Sequence, residues 1–456
     1  MDTNGAFRLP TNEIKREKLQ VAYKRDSLFG QLQLKEASMA IVGLGYVGLP
    51  LALHMASKYR VVGFDINSNK IFKLLDHIDP SNELSEVDFI GKDIRFSFKE
   101  NDLSQSKFYI IAVPTPIDKY KKPNLEPLKA ATAMVADNLK KGDCVVFEST
   151  VFPGCTEEVC VPILERISRL KLNKDFSVGY SPERINPGDK NHTFTKIKKI
   201  VSGSNDIALD LITNIYESVV EAGVHRAENI KVAEAAKVVE NIQRDVNIGL
   251  MNELSQVFNA LNINTDAVLK AAGSKWNFHN YFPGLVGGHC IGVDPYYLID
   301  RAKKFNIKTQ LLEQVRKTNE GMVEYIVNTI IKNVWPNHLK TKWKVLIKGI
   351  TFKENVSDIR NSKVIDIIKQ LRKHDFDVVV EDPCANALEV MRYYNLPLLN
   401  EVTKDDGKFD VIVMAVDHNQ FHEIKELDSM LTQRGFLFDI RGTFKHLVSN
   451  KKYLTL

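Results

Sequence analysis

Ahead of Ser38 the chain is polar and charged; from Met39 it is continuously apolar, and Met39-Ala-Ile-Val42 runs into Gly43-Leu-Gly45-Tyr-Val-Gly48-Leu-Pro-Leu-Ala52. A short unbroken apolar run that ends in glycines is what a strand buried on both faces looks like before a tight turn and a helix. The same rhythm returns at Arg60–Asp65, Phe108–Val113, Cys144–Thr150 and Phe176–Tyr180, which predicts successive strands of one parallel sheet. From Ile230 to about Asn264 there is no proline, and the apolar positions shift to helical spacing: Val232, Ala235, Ala236, Val239, Ile242, Val246, Leu250, Leu254, Phe258. One long helix is predicted there, with helical periodicity resuming over 306–334. The last third goes back to strands at Trp343–Gly349, Asp377–Asp382, Asp410–Val416 and Gly435–Ile440, with a helix at 363–373.

The pattern predicts an α/β protein: two Rossmann-like, doubly wound parallel-sheet domains joined by a long central helix and a helical middle domain. The expected divisions are 1–37, a partly helical N-terminal extension; 38–227; 228–335; and 336–456. A length of 456 residues fits this, at roughly 150 residues per domain. The net charge of +5, with no run of five like charges, gives no reason to expect a nucleic-acid partner. The five cysteines (Cys144, Cys155, Cys160, Cys290, Cys384) are odd in number and lack metal-ligand spacing. That favours a reducing compartment over a disulfide framework, and no metal site is expected. The N-terminus lacks an apolar signal core, and no window approaches about 18 apolar residues, so a soluble cytoplasmic protein with no membrane segment is expected.

Candidate chemistry starts at the first strand. G-x-G-x-x-G between strand and helix, followed about 20 residues later by Asp65 at the end of a second strand, predicts a dinucleotide site. Gly43 permits the turn, Gly45 lets the backbone approach a pyrophosphate, and Gly48 lets helix and strand pack closely. Asp65 would bond the ribose hydroxyls and repel a 2′-phosphate, favouring NAD over NADP. Lys70 works against that preference, unless it is an ordinary solvated lysine on a helix face. The third and fourth strands turn polar at their ends, which makes Thr115, Glu148 and Thr150 cleft candidates, and Glu183-Arg184 follow the fifth strand on a loop stiffened by proline and glycine. Lys237, Asn241 and Arg244 share one face of the long helix: either a solvated stripe or an active-site face. In Pro283-Gly-Leu-Val-Gly287-Gly288-His289-Cys290-Ile-Gly-Val-Asp294-Pro295, a cysteine stands among glycines able to approach a ligand closely, with Asp294 four residues on. A buried inert thiol is the ordinary alternative. In the last third, Lys353, Asp358, Arg360 and Lys363 lie between strand and helix, as suits a phosphorylated ligand, and the final strand delivers Arg441.

With these residues in hand, the chain resembles the UDP-glucose/UDP-mannose (nucleotide sugar) dehydrogenase family from Ser38 to about Lys445. GLGYVGLPLA, VPTP, STVFPG, YSPERINPGD, AEAAKVVEN, PGLVGGHCIGVDPYYL and GITFKENVSDIRNSK stand here in the family's order. His289 before the cysteine and Arg184 in SPER are similar to the bacterial N-acetylhexosamine branch, above all to UDP-N-acetylglucosamine 6-dehydrogenases of the Vi-polysaccharide type. The extension departs from the pattern, and Trp276–Phe282 lacks the arginine that UDP-glucose enzymes carry ahead of the cysteine loop. The resemblance implies an NAD-dependent, four-electron oxidation of a UDP-N-acetylhexosamine 6-hydroxyl to a uronic acid for capsule or O-antigen polysaccharide. A UDP-N-acetylmannosamine or UDP-glucose enzyme is the alternative within the family, and a silent nucleotide-sugar-binding scaffold the alternative outside it. It also implies that Cys290 carries the thiohemiacetal and thioester, that Lys237 and Asn241 stabilise the oxyanion, that Asp294 orients water or the lysine, and that Glu183 with Thr150 activates the hydrolytic water. It places Gly43, Gly45, Tyr46, Val47, Gly48, Asp65, Lys70, Pro114, Thr115, Thr150 and Arg360 on NAD. Glu183, Arg184, Lys237, Asn241, Arg244, Tyr281, Gly287, Lys353 and Arg441 go to the UDP-sugar. A homodimer or higher homo-oligomer through the central helix is expected.

Overall fold

The computed structural model describes residues 27–81, 83–185, 189, 191–334 and 342–456. The chain divides into two compact units, Met1–Thr115 with Asn124–Lys237, and Pro116–Pro123 with Val238–Leu456.

The first unit is built on eight strands: β1 (Ser38–Val42), β2 (Val61–Phe64), β3 (Ile94–Ser97), β4 (Ser106–Ile111), β5 (Cys144–Phe147), β6 (Ser177–Tyr180), β7 (Lys199–Gly203) and β8 (Val224–Arg226). Their order is β3-β2-β1-β4-β5-β6-β7-β8, and the first six run parallel. This is the doubly wound arrangement, whose order reverses between β1 and β4 and so leaves a crevice at their carboxyl ends. Beyond the strands expected from the sequence, β7 runs antiparallel to β6. Parallel return needs a crossover, usually a helix; the described part of the link from Tyr180 to Lys199 offers only one 3₁₀ turn, Phe194–Lys196. Strands β3, β7 and β8 escape a search for apolar runs because they are short and carry Arg95, Lys199, His225 and Arg226. Of the N-terminal extension, residues 1–26 lie outside the described residues. The remainder forms a helix, Leu28–Gln33, capped by Ser27, with Leu32 buried in the core of the first sheet.

The second unit carries the helices Thr265–Gly273, Asp294–Lys304 and Gln310–Val334, most of the long helix Ile230–Ala260, and a second sheet. That sheet has five parallel strands, β9 (Trp343–Lys348), β10 (Phe376–Glu381), β11 (Phe409–Met414), β12 (Leu431–Asp439) and β13 (Lys452–Thr455), in the order β10-β9-β11-β12-β13. One face of Gln310–Val334 (Met322, Val323, Ile326, Val327, Ile330) is buried in a single core with Val345, Ile347, Ile365 and Ile368. At roughly 1.5–3 kcal/mol per buried aliphatic side chain, this apolar seam fixes that helix against the sheet.

The long helix and Gln310–Val334 are joined by polar groups. Arg316 reaches the Asp245 carboxylate at 2.5 Å, Asn319 donates to the same oxygen at 2.7 Å, and Asn252 donates to Asn319 at 2.8 Å. Asn252 also exchanges two hydrogen bonds with the backbone of Gly284, at 3.0 and 2.8 Å, so the network holds the entry to the cysteine loop. All four side chains are buried. Arg316→Leu strands the Asp245 carboxylate without its cation, a loss of about 3–5 kcal/mol for a broken buried pair. The expected outcome is a clear fall in the urea midpoint of the second unit, read by circular dichroism; an unchanged midpoint rules out this pair as a structural tie.

Candidate active site

In the first unit the crevice is shaped by glycines where side chains do not fit. Gly43 has φ +96°, and a Cβ there would lie 2.7 Å from the Ala112 carbonyl after β4; a Cβ on Gly48 would lie 1.7 Å from the Gly43 carbonyl. Around Gly45 nothing lies within 4 Å of such a Cβ, so its backbone faces open space. The helix Gly48–Met55 begins there with no side-chain cap at Val47, so its positive dipole end lies at the glycine turn, where it favours an anion. Asp65, buried at the end of β2, accepts from the Leu44 amide at 3.0 Å and the Asn67 amide at 2.9 Å. These features fit the pyrophosphate and ribose of a dinucleotide. Lys70 is no solvated lysine: its Nζ lies 2.7 Å from Asp65 Oδ2. Tyr46 and Val47 lie in the glycine turn, and Pro114 beside Thr115 after β4. Thr115 donates to the Thr150 carbonyl at 2.7 Å, tying the loops after β4 and β5 together. Glu234 of the long helix accepts from the Gly154 and Thr156 amides at 2.5 and 2.8 Å and steadies the second of those loops.

Glu148 and Glu183 both turn inward. The buried Lys199 ammonium lies 2.8 Å from Glu148 and 2.9 Å from Glu183, and the Tyr216 hydroxyl donates to Glu148. Glu148 is therefore no cleft residue; burial pushes its carboxyl up, against the pull of Lys199. Burial works the same way on Glu183, but Lys199 and the Arg184 and Ile185 amides outweigh it and hold the group below its ordinary value. The Arg184 guanidinium donates to the Lys198 carbonyl at 2.6 Å. Lys199 is missing from the sequence reading because a lysine opening a short strand reads as solvated.

In the second unit Cys290 is exposed in a turn whose carbonyl accepts from the Val293 and Asp294 amides, at 2.9 and 2.8 Å. Asp294 opens the next helix and is buried; Asn241 of the long helix, also buried, donates to it at 2.5 Å. The turn that presents the thiol is thus pinned to the long helix through one carboxylate. Lys237, one helical turn before Asn241, is buried too, whereas Arg244 is exposed, so the stripe is not uniformly solvated. The two glycines ahead of Cys290 approach protein. A Cβ on Gly287 would meet the Asn361 carbonyl at 2.7 Å, and one on Gly288 (φ +79°) the Phe352 ring at 2.7 Å. They seat the cysteine loop on the segment after β9. There His289 faces Asp358 at 3.5 Å; burial, aided by Arg360, lowers its pKa. Arg360 spans both Asp358 oxygens at 3.0 Å and remains half exposed. Lys353 is half-buried on the same segment. Arg441 stacks 5.8 Å over Phe282, and the neighbouring Tyr281 donates to Gln243 at 3.3 Å. Asp382, Cys384 and His418 are side chains of metal-ligating type that cluster beneath this sheet edge. Both ring nitrogens of His418 are engaged, Nδ1 by the Asn355 amide at 3.0 Å and Nε2 by Asp382 at 3.1 Å, so the cluster is a tie between loops.

Comparison with known proteins agrees with this architecture. The sequence models of the UDP-glucose/GDP-mannose dehydrogenase family match three stretches: the NAD binding domain at residues 37–220, the central domain at 231–321 and the UDP binding domain at 346–446. The chain is 47% identical to a UDP-N-acetyl-D-glucosamine 6-dehydrogenase of Salmonella typhi over 423 residues, 92% of this chain and 97% of the relative. To an enzyme of the same name from Pseudomonas aeruginosa it is 47% identical over 390 residues, 85% of this chain and 92% of the relative. A solved UDP-D-ManNAc dehydrogenase from Pyrococcus horikoshii superposes with a TM-score of 0.83 at 27% identity, covering 92% of this chain and 98% of that one. The fold and the nucleotide crevice define an NAD-dependent dehydrogenase. The chain belongs to the UDP-glucose/GDP-mannose dehydrogenase family, whose second namesake is a GDP-sugar, not a UDP-sugar. Among the described residues no helix is long and apolar enough to cross a membrane.

Asp65 both buttresses the glycine turn and neutralises Lys70. Asp65→Ser should weaken NAD about ten- to a hundredfold, the usual cost of a charged hydrogen bond at roughly 1–3 kcal/mol. It should also release Lys70 to accept a 2′-phosphate, narrowing the preference over NADP. Fluorescence titration with both cofactors checks this; unchanged NAD affinity removes Asp65 from the ribose site.

Proposed function

We propose that the protein oxidises the 6-hydroxyl of UDP-N-acetylglucosamine to the carboxylate in two successive oxidations with Cys290 as the covalent nucleophile. The observation that carries the reading is the exposed Cys290 on a turn anchored through buried Asp294 to Asn241. NAD, when bound, accepts a hydride from C6 in each oxidation. The Cys290 thiolate adds to the first product, the aldehyde, so that no free aldehyde leaves, and the thiohemiacetal becomes a thioester on loss of the second hydride. Asn241 supplies a neutral donor and Lys237 a positive charge to the oxyanion at each tetrahedral stage. Glu183 takes the proton of the water that cleaves the thioester. Arg360, Lys353 and Arg441 are the cations for the diphosphate-bearing ligands, with Arg184, Arg244, Tyr281 and Gly287 toward the sugar nucleotide. The N-acetylglucosamine epimer is supported by 47% identity to enzymes of that name, against 31% to UDP-N-acetyl-D-mannosamine dehydrogenases.

Exposed apolar residues Val239, Leu250 and Val257, spaced 11 and 7 residues apart, form a stripe along the long helix. A surface of this kind marks an interface, and it supports a homodimer formed through that helix. Leu250→Glu with Val257→Glu should convert a dimer to a monomer in light scattering; a wild-type monomer refutes it.

Cys290→Ser should abolish steady-state NADH formation while UDP-N-acetylglucosamine binding stays within about threefold, because the thiol carries chemistry and sits exposed outside the core. Calorimetry and an NADH assay over UDP-N-acetylglucosamine, UDP-N-acetylmannosamine and UDP-glucose check both thiol and epimer. Acid production by the serine variant near the wild-type rate defeats the thioester route, and silence on every UDP-sugar leaves a binding scaffold.

A further inference from the structure

The Glu148–Lys199–Glu183 group holds two carboxylates against one ammonium in a buried setting, an arrangement that nothing in the oxidation steps uses. Both lone pairs of Glu183 Oε1 are taken, by the Arg184 and Ile185 amides at 2.6 Å each, and one of Oε2 by Lys199 at 2.9 Å. We propose that Lys199 is a positioning residue for hydrolysis: it fixes Glu183 in its ionised form and, among the described residues, leaves a single lone pair on Oε2 as the place where a proton is received. This rests on Glu183 being the group that activates water. In that step the water oxygen bonds to the thioester carbon, the C–S bond breaks to release the Cys290 thiolate, and the water proton passes to Oε2 of Glu183. A carboxylate buried without a partner would stay protonated at neutral pH and fail in this role. Lys199 offsets that desolvation, and Glu148 competes with Glu183 for the same ammonium.

Among the described residues, the other charged and titratable groups facing Glu183 are few. Tyr216, from the helix Asp206–Glu217, is bonded to Glu148. His54, from Gly48–Met55, stacks on Phe194 at 5.2 Å, and the Phe194 ring also lies 5.4 Å from the Lys199 ammonium. Arg184 on the same loop is turned to the Lys198 carbonyl. Among the described residues, Lys199 is thus the cation in hydrogen-bonding contact with the Glu183 carboxylate.

The consequence has a sign. A catalytic carboxylate loses activity as pH falls through its pKa, and an adjacent cation moves that loss to lower pH. Lys199→Met should therefore shift the acid limb of thioester hydrolysis upward by about 1–3 pH units. Lys199→Arg should restore most of the wild-type profile. Glu148→Gln, which removes the competitor and a buried charge, should shift the limb downward; it decides the matter if Lys199→Met does not fold. The experiment follows decay of the Cys290 adduct by intact-protein mass spectrometry across pH after mixing with UDP-N-acetylglucosamine and NAD. Opposite shifts in the two variants support the proposal, since a purely structural role would slow both without moving the limb. An unmoved limb in Glu148→Gln, or in a folded Lys199→Met, overturns it. Glu183→Gln separates the two readings: wild-type turnover in that variant removes Glu183 as the base, whereas a stalled adduct with unmoved limbs elsewhere removes only Lys199.

Discussion

Loops leaving a parallel sheet carry backbone amides that are cut off from water, and each such amide must find an acceptor. In this protein the acceptors are acids set at or just beyond the strand ends. Asp65 follows β2 and takes the amides of Leu44 and Asn67. Asp382 follows β10 and takes those of Ile350, Thr351, Cys384 and Ala385. Asp439 ends β12 and takes those of Arg441, Gly442 and Phe444, while Glu183 beyond β6 takes two of its own loop. The same residue type thus shapes the ligand-bearing edge of both sheets. Because each acid is paid for by several donors, the loops it holds are stiff where they meet a ligand.

This explains which parts of the site could be read from sequence. The glycine turn was legible because its constraint is local: strand, φ > 0 at Gly43 and close packing at Gly48 all fall within a dozen residues. Asp65 was legible by its distance from the glycines, but its pairing with Lys70 was not, since a lysine five residues on looks the same solvated or bonded. Glu148 and Glu183 were visible as acids after strands, yet their shared Lys199 lies in a strand whose lysine and short length hid it. The glycines before Cys290 were read as positions where the backbone nears a ligand, whereas the groups they approach belong to the protein itself. What they approach, Asn361 and Phe352, stands more than sixty residues away in sequence and has no local trace.

The long helix carries the most consequential register. Its polar residues read as either a solvated stripe or a working face, and the solvated stripe fails at two of the three positions: Lys237 and Asn241 are buried, Arg244 is exposed. Asn241 is tied through Asp294 to the turn that presents Cys290, so its amide cannot rotate freely to another partner without breaking a buried hydrogen bond. Lys237 stands one turn away on the same rigid rod, at the Cβ spacing of about 5–6 Å that any α-helix imposes. The separation of their backbone positions is therefore set by helix geometry, and only the reach of each side chain is its own. Replacing either by a residue of different length changes reach without changing that spacing, so a helix face holds two polar side chains in more exact register than two loops would.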